Sequence, residues 1–413
     1  MSPPTRTHEA PRSEVVLSAW HGASRRLRWS GFIVGALILA ACSAAPRISY
    51  TAADGAAAEI PNMPDVRAFA DVPIKEFDKA VCPNRDLNAT PGRAAAPAYL
   101  ALSGGGAAGA YGVGVLNGWT ASGTRPEFTI VSGVSTGALI APFAFLGPSD
   151  DGVLRHLYTS GVAESLLASF QPALFGSGLF GSQPLRELVA QHVDERMLAR
   201  IAAEYAKGRC LAVVTTDLDA QRAVVWDMCR IASYGSPASL ELFREVLTAS
   251  ASVPVVFAPV FIDAEANSRS FREMHVDGAV EAPVFTLPQV FLLSHARPEP
   301  LLRLDIYVLI NGQIDSNFQT VPDSNIEIAG RTVSSMVKAQ TRSVIFGTYD
   351  FAQKYGQGFN LTYLDEAAPP DCGSGFDTAC MRRLYEYGYE KARSGRFWQT
   401  RPPSPSPRVV AQR

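Results

Sequence analysis

The sequence predicts an α/β domain of three layers with a mostly parallel central sheet and a helical extension behind it. Three observations carry this. Short, continuously apolar runs alternate with longer stretches of helical spacing between residues 99 and 310, which is the pattern of strands covered on both faces by crossover helices. Two of those runs stop abruptly in glycine turns that open into helices, at Ser103-Gly104-Gly105-Gly106 and at Gly133-Val134-Ser135-Thr136-Gly137. The chain has 413 residues, 47% hydrophobic and 18% charged, enough for one large domain with terminal extensions.

In chain order the N-terminus comes first. Arg25, Arg26 and Arg28 precede an apolar run at 31–41 that ends at Cys42. The run is too short to span a bilayer core and reads as the centre of a signal peptide. Leu39-Ala40-Ala41-Cys42 resembles the lipobox of bacterial lipoproteins. That resemblance implies an acylated Cys42 and a place in a bacterial cell envelope, on the periplasmic face of the outer membrane if the cell is Gram-negative. Residues 1–41 are therefore expected to be a leader. Residues 42–96, rich in Ala, Pro and Asp with little periodicity, are expected to be a tether.

The domain itself is expected over 97–312. Residues 99–102 and 128–132 read as strands, and 110–119 and 138–145 as the helices that follow their glycine turns. Residues 153–170 and 185–205 have helical spacing. Between them, 170–181 carries glycine and phenylalanine and reads either as ordinary packing or as an apolar lid or wall beside Ser135. Residues 211–215 and 223–226 form a hairpin about the polar turn 217–221, 237–249 is another helix, and 303–310 is a strand. Helical stretches at 328–355 and 381–393 suggest a cap over 313–395, and the Pro-rich end, 396–413, an extended tail.

Export would make the cysteines interpretable. Cys210 and Cys229 fall opposite each other across the hairpin, so a cross-strand bridge and a pair of reduced core thiols both stay open. Cys372 and Cys380 bracket a glycine-containing loop and are expected to pair, which leaves Cys82 without a partner.

Composition excludes several classes. A formal net charge of -2 gives no footprint for nucleic acid. There is no P-loop lysine, no Cys/His set with zinc spacing and no acidic loop for calcium, so neither a metal nor a cofactor is called for.

The chemistry then rests on side chains. Gly133-Val134-Ser135-Thr136-Gly137, between a strand and a helix, is the G-x-S-x-G pattern of a nucleophile elbow: the serine sits on a strained turn, and the flanking glycines leave room for it. A serine hydroxyl needs a base. His8 and His21 lie in the leader, and His156, His192 and His295 have no motif context. His275, two residues before Asp277, is the strongest histidine candidate, because strand alternation would put both on one face.

Gly104-Gly105-Gly106-x-x-Gly109, the Ser135 elbow and Asp277-Gly278-Ala279, in that order, resemble the patatin-like phospholipase family, whose members use a Ser-Asp dyad. The resemblance covers roughly 97–312 and includes Val224-Val225-Trp226, the stretch 249–257 and Asn311-Gly312. It implies a patatin-like α/β/α fold and a serine acyl hydrolase of phospholipase A, lysophospholipase or esterase type, with a lipid ester as substrate and a membrane surface as its place of work. It further implies Ser135 as nucleophile, Asp277 as proton acceptor and backbone amides of Gly104, Gly105 and Gly106 as oxyanion hole, with Gly109, Gly133, Gly137 and Gly278 as motif support. Many members carry Arg or Lys where Ala108 stands here, which removes a charge from the oxyanion turn. Asp54-Gly55-Ala56 also spells the acid motif, but no apolar run precedes it, and it is set aside. Two other readings remain: an α/β-hydrolase with a Ser-His-Asp triad, and a catalytically silent envelope lipoprotein that binds lipid or protein.

Overall fold

The short apolar runs become strands of one sheet, and the helical stretches cover both of its faces. The computed structural model describes residues 47–83, 96–168, 183–254, 256–288, 303–316, 318, 320–369 and 375–403. Ile48–Arg413 is one unit; Met1–Arg47 is another and, Arg47 apart, lies outside the described residues, as do Cys42 and the expected signal core. The loop at 170–181 and Cys372 also lie outside them.

The elements are α1 (Ala52–Ala56), β1 (Arg67–Phe69), α2 (Ile74–Ala80), β2 (Ala98–Leu102), α3 (Gly109–Ala121), β3 (Ile130–Val134), α4 (Thr136–Leu146), α5 (Asp151–Thr159) and α6 (Val162–Ala168). They continue with α7 (Gln183–His192), α8 (Glu195–Tyr205), β4 (Cys210–Asp217), β5 (Arg222–Asp227), α9 (Met228–Ser233), α10 (Pro237–Ser250), β6 (Val260–Ala266) and β7 (Arg269–Asp277). Last come β8 (Asp305–Leu309), α11 (Asn325–Tyr355), β9 (Gly358–Thr362) and α12 (Thr378–Arg393).

Strand order is β1-β5-β4-β3-β2-β8-β9. Neighbours from β4 to β9 are parallel. β5 and β1 add antiparallel strands at one end, and the β6–β7 hairpin joins through β7 to β4. Side chains alternate across the sheet. Leu100, Leu102, Val131, Val213 and Trp226 pack with Val113, Ile140, Ile201, Phe243 and Leu384 of the covering helices. On the other face Tyr99, Ala101, Ile306, Val308 and Phe359 meet Ile345, Phe351 and Ala352 of α11, while Val134, Ala212, Val214 and Val225 meet Phe77 and Ala80 of α2. Three layers result, as the runs predict.

Several boundaries differ from expectation. Residues 48–83 are not a tether: β1 pairs with β5, and Asp54, far from any catalytic role, caps α1 and bonds Asn267 and Arg269 of the β6–β7 hairpin. The segment lacks periodicity because its elements are only three to seven residues long, too short to display one. The region 313–395 is not purely helical, since it contributes β9 to the sheet. Nor does the fold end at 395: Phe397 and Trp398 pack edge-on against Trp119, and Gln399 pairs with Leu361.

The cysteine pairing also differs. The hairpin has the expected register, but the chain turns into α9 at Met228, so Cys229 packs in the core on one face and Cys210 in the core on the other. Cys210 bonds Cys82 with a Cα–Cα distance of 5.6 Å, and Cys229 is a free, buried thiol. Cys380 is disulfide-bonded, with its partner outside the described residues.

Candidate active site

The site forms where β3 leaves the sheet. β3 pairs with β4 as far as Val134↔Val214, and its next residue is Ser135. Along the same edge of β4, β7 takes over, with Thr215↔Asp277 and Asp217↔His275. The end of β7 is thereby delivered to the point at which β3 turns away.

Ser135 adopts φ 56° and ψ −126°, a strained conformation for a residue with a side chain. Close packing fixes the turn: a Cβ on Gly137 would come within 2.5 Å of the Leu102 carbonyl, and one on Gly133 within 2.4 Å of the Gly137 carbonyl. From this elbow Ser135 Oγ donates to Asp277 Oδ2 at 2.6 Å. The other carboxylate oxygen accepts from the Ala279 amide at 2.8 Å, and the Asp277 carbonyl accepts from Thr216 Oγ1 at 3.0 Å. Gly278 is required here because a Cβ would lie 2.3 Å from the Val214 carbonyl. Ser135 and Asp277 are both buried. Burial pushes the Asp277 carboxyl up to about 7, against the hydrogen bonds from Ser135 and Ala279 that favour its charged form.

The triple-glycine turn lies against the serine. A Cβ on Gly104 would be 3.1 Å from Ser135 Cβ. The Gly104 amide, however, donates to the Pro283 carbonyl at 3.0 Å, which withdraws it from the expected set of oxyanion donors. The amides of Gly105 and Gly106 lead the helical run of 106–121 and meet no acceptor among the described residues. Asn311 fixes this turn, although the sequence assigned it no role: its amide donates to Ser103 Oγ and its Nδ2 to the Ser103 carbonyl, each at 2.8 Å. Its backbone carbonyl would be 1.9 Å from a Cβ on Gly105. The signal was an Asn-Gly pair directly after a strand. Gly109 lets α3 close on the elbow helix, since a Cβ there would meet Thr136 Oγ1 at 2.5 Å.

Among the described residues no histidine is brought to the serine. His275 is fully buried, with Nδ1 3.0 Å from Thr215 Oγ1 and Nε2 3.2 Å from Glu273 Oε2, and it packs edge-on against Trp226. Arg67 completes the cluster: it is ion-paired to Glu273 and stacked over Trp226. Burial alone would raise the Glu273 carboxyl, but Arg67 and His275 hold it at about 2. His156 is exposed and His192 half-buried on α5 and α7, while His295 lies outside the described residues. A surface depression of about 740 Å³ between Asp365, Arg382 and Lys391 of the C-terminal region contains neither Ser135 nor Asp277.

Residues 100–288 match the family described as patatin-like phospholipase, which is less than half of the chain. Among solved structures the chain is similar to VipD from Legionella pneumophila, with 12% identity over 72% of this chain and 67% of that one and a TM-score of 0.33. It is also similar to full-length ExoU of the Pseudomonas aeruginosa type III secretion system, solved in complex with SpcU, with 15% identity over 72% of this chain and a TM-score of 0.33. That match spans 51% of the other chain. Comparison with curated proteins gives no match.

Proposed function

From the patatin-like domain at residues 100–288, which supports a lipid acyl hydrolase at family level, we propose a serine esterase that cleaves acyl esters of lipids through Ser135 and Asp277. The observation that carries the reading is the 2.6 Å hydrogen bond from a strained elbow serine to a buried carboxylate. Asp277, as the base, takes the proton from Ser135 Oγ as it attacks the ester carbonyl, and the amides of Gly105 and Gly106 receive the developing oxyanion. The same carboxyl returns the proton to the leaving alcohol. Water, deprotonated by Asp277, then releases the fatty acid from the acyl-enzyme. His275 takes no part, because both of its ring nitrogens face other partners.

In this reading a lipidated Cys42 holds the enzyme at an envelope membrane. The lipobox-like sequence supports this, and the Cys82–Cys210 disulfide fits an oxidising compartment. No helix among the described residues is long and apolar enough to cross a membrane.

The test is covalent labelling by a serine-reactive phosphonate together with hydrolysis of a soluble chromogenic ester. Wild type is expected to label at Ser135. Ser135→Ala should lose labelling, and Ser135→Ala and Asp277→Ala should each lose roughly 10³-fold or more in kcat/KM while remaining folded. A folded wild type that neither labels nor cleaves would overturn the proposal in favour of a binding role.

A further inference from the structure

Ser250 closes α10 and is wholly inaccessible to solvent, as are Thr248 and Ser252 beside it. Its hydroxyl occupies a particular place. Past the pair Val134↔Val214, β3 and β4 separate, and the next amide along β3 is that of Ser135. Ser250 Oγ accepts from this amide at 3.0 Å and donates to the Val214 carbonyl at 2.6 Å. A hydroxyl is thus inserted as a relay between the two strands where they part. Two residues on, the Ser252 carbonyl accepts from the Asp277 amide at 2.9 Å. The backbones of both members of the dyad are therefore tied to one short stretch of chain.

We propose that Ser250 is a positioning residue for the nucleophile: its hydroxyl holds the Ser135 amide and with it the strained elbow, so that Oγ stays on line with Asp277. This rests on the functional reading given above. The strain at φ 56° persists only if neighbouring bonds over-determine it. Ser250 supplies one such bond from outside the turn, and both of its contacts are to backbone atoms.

The experiment compares the full chain as wild type, Ser250→Ala, Ser250→Cys and the control Ser233→Ala. Cysteine fills the site with a slightly larger side chain of the same shape but is a weak acceptor. Both Ser250 variants are expected to lower kcat on a soluble ester roughly 10- to 100-fold, with KM within about threefold, and to slow phosphonate labelling in proportion. The Ser135 amide should exchange with deuterium faster in both. A Ser250→Ala enzyme with wild-type kcat would overturn the proposal, as would recovery by Ser250→Cys, which would assign the side chain to packing alone. If Ser250→Ala does not fold, Ser250→Cys decides by the same two readouts. If wild type itself neither labels nor turns over, the functional reading fails separately, and unchanged exchange of the Ser135 amide in the Ser250 variants would still overturn the clamp.

Discussion

Ser135 Oγ and Asp277 Oδ2 meet at 2.6 Å although 142 residues separate them in the chain. β4 arranges the meeting, because β3 and β7 occupy successive stretches of the same edge. The carboxylate arrives in a buried site, and burial sets its titration.

Activity should follow ionisation of Asp277. With the carboxyl pushed up to about 7 by burial, kcat/KM is expected to rise as pH increases through about 7 and to level above it. A pH profile on a soluble ester checks this. An activity that stays level from pH 5 to pH 9 would remove Asp277 as the base.

Stability should respond in the opposite sense. The folded carboxyl titrates at about 7, above its ordinary 3.8, so its contribution is fully present below 3.8 and is lost as pH rises through about 7. Asp277→Asn, which carries no charge at any pH, is therefore expected to melt above wild type at pH 8, with the gap narrowing at pH 5. Thermal melts at the two values measure it, and an Asn variant that melts below wild type at pH 8 would count against the buried charge.

The cluster around His275 should separate fold from chemistry. His275→Gln is expected to stay within about tenfold of wild-type kcat, since only the loss of a true catalytic base costs orders of magnitude more. Arg67→Ala leaves Glu273 buried without its guanidinium and is expected to cost roughly 3 to 5 kcal/mol in denaturant unfolding. The Glu273 carboxyl at about 2 lies below its ordinary 4.5, so its contribution is present above 4.5 and lost as pH falls through about 2. Loss of activity in a folded His275→Gln enzyme would restore the triad.

The Cys82–Cys210 bond closes a sequence separation of 128 residues. Replacing both cysteines with serine is expected to lower stability by roughly 2 to 5 kcal/mol. Phosphonate labelling of the folded fraction should persist, because neither sulfur contacts the dyad. Equal melting of the two forms, with and without reductant, would exclude the bond.

The three motifs were legible because each imposes a local demand that only certain residues meet: an elbow between strand and helix, a glycine turn before a helix, and an acid before Gly278 where a side chain would strike Val214. The parallel sheet showed in its continuously apolar runs. What escaped was set by contacts remote in sequence. β1 is three residues long and becomes a strand only by lying against β5. Cys82 finds Cys210 because both reach one face of the sheet, whereas the hairpin register alone points to Cys229. Ser250 and Asn311 act through hydrogen bonds to segments 115 and 208 residues away, so the stretches that contain them, 249–257 and Asn311-Gly312, stand out in the sequence without showing what they hold.

The segment 100–288 carries Ser135 and Asp277, yet β1, β8 and β9 come from outside it. β1 covers the free side of β5, and β8 covers that of β2. A protein trimmed to 100–288 would bare two rows of backbone donors and acceptors, together with the thiol of Cys210, and bare sheet edges template self-association. Its expected fate is precipitation, with Ser135 and Asp277 both present. The region that the family match covers is thus smaller than the sheet that covers its own edges.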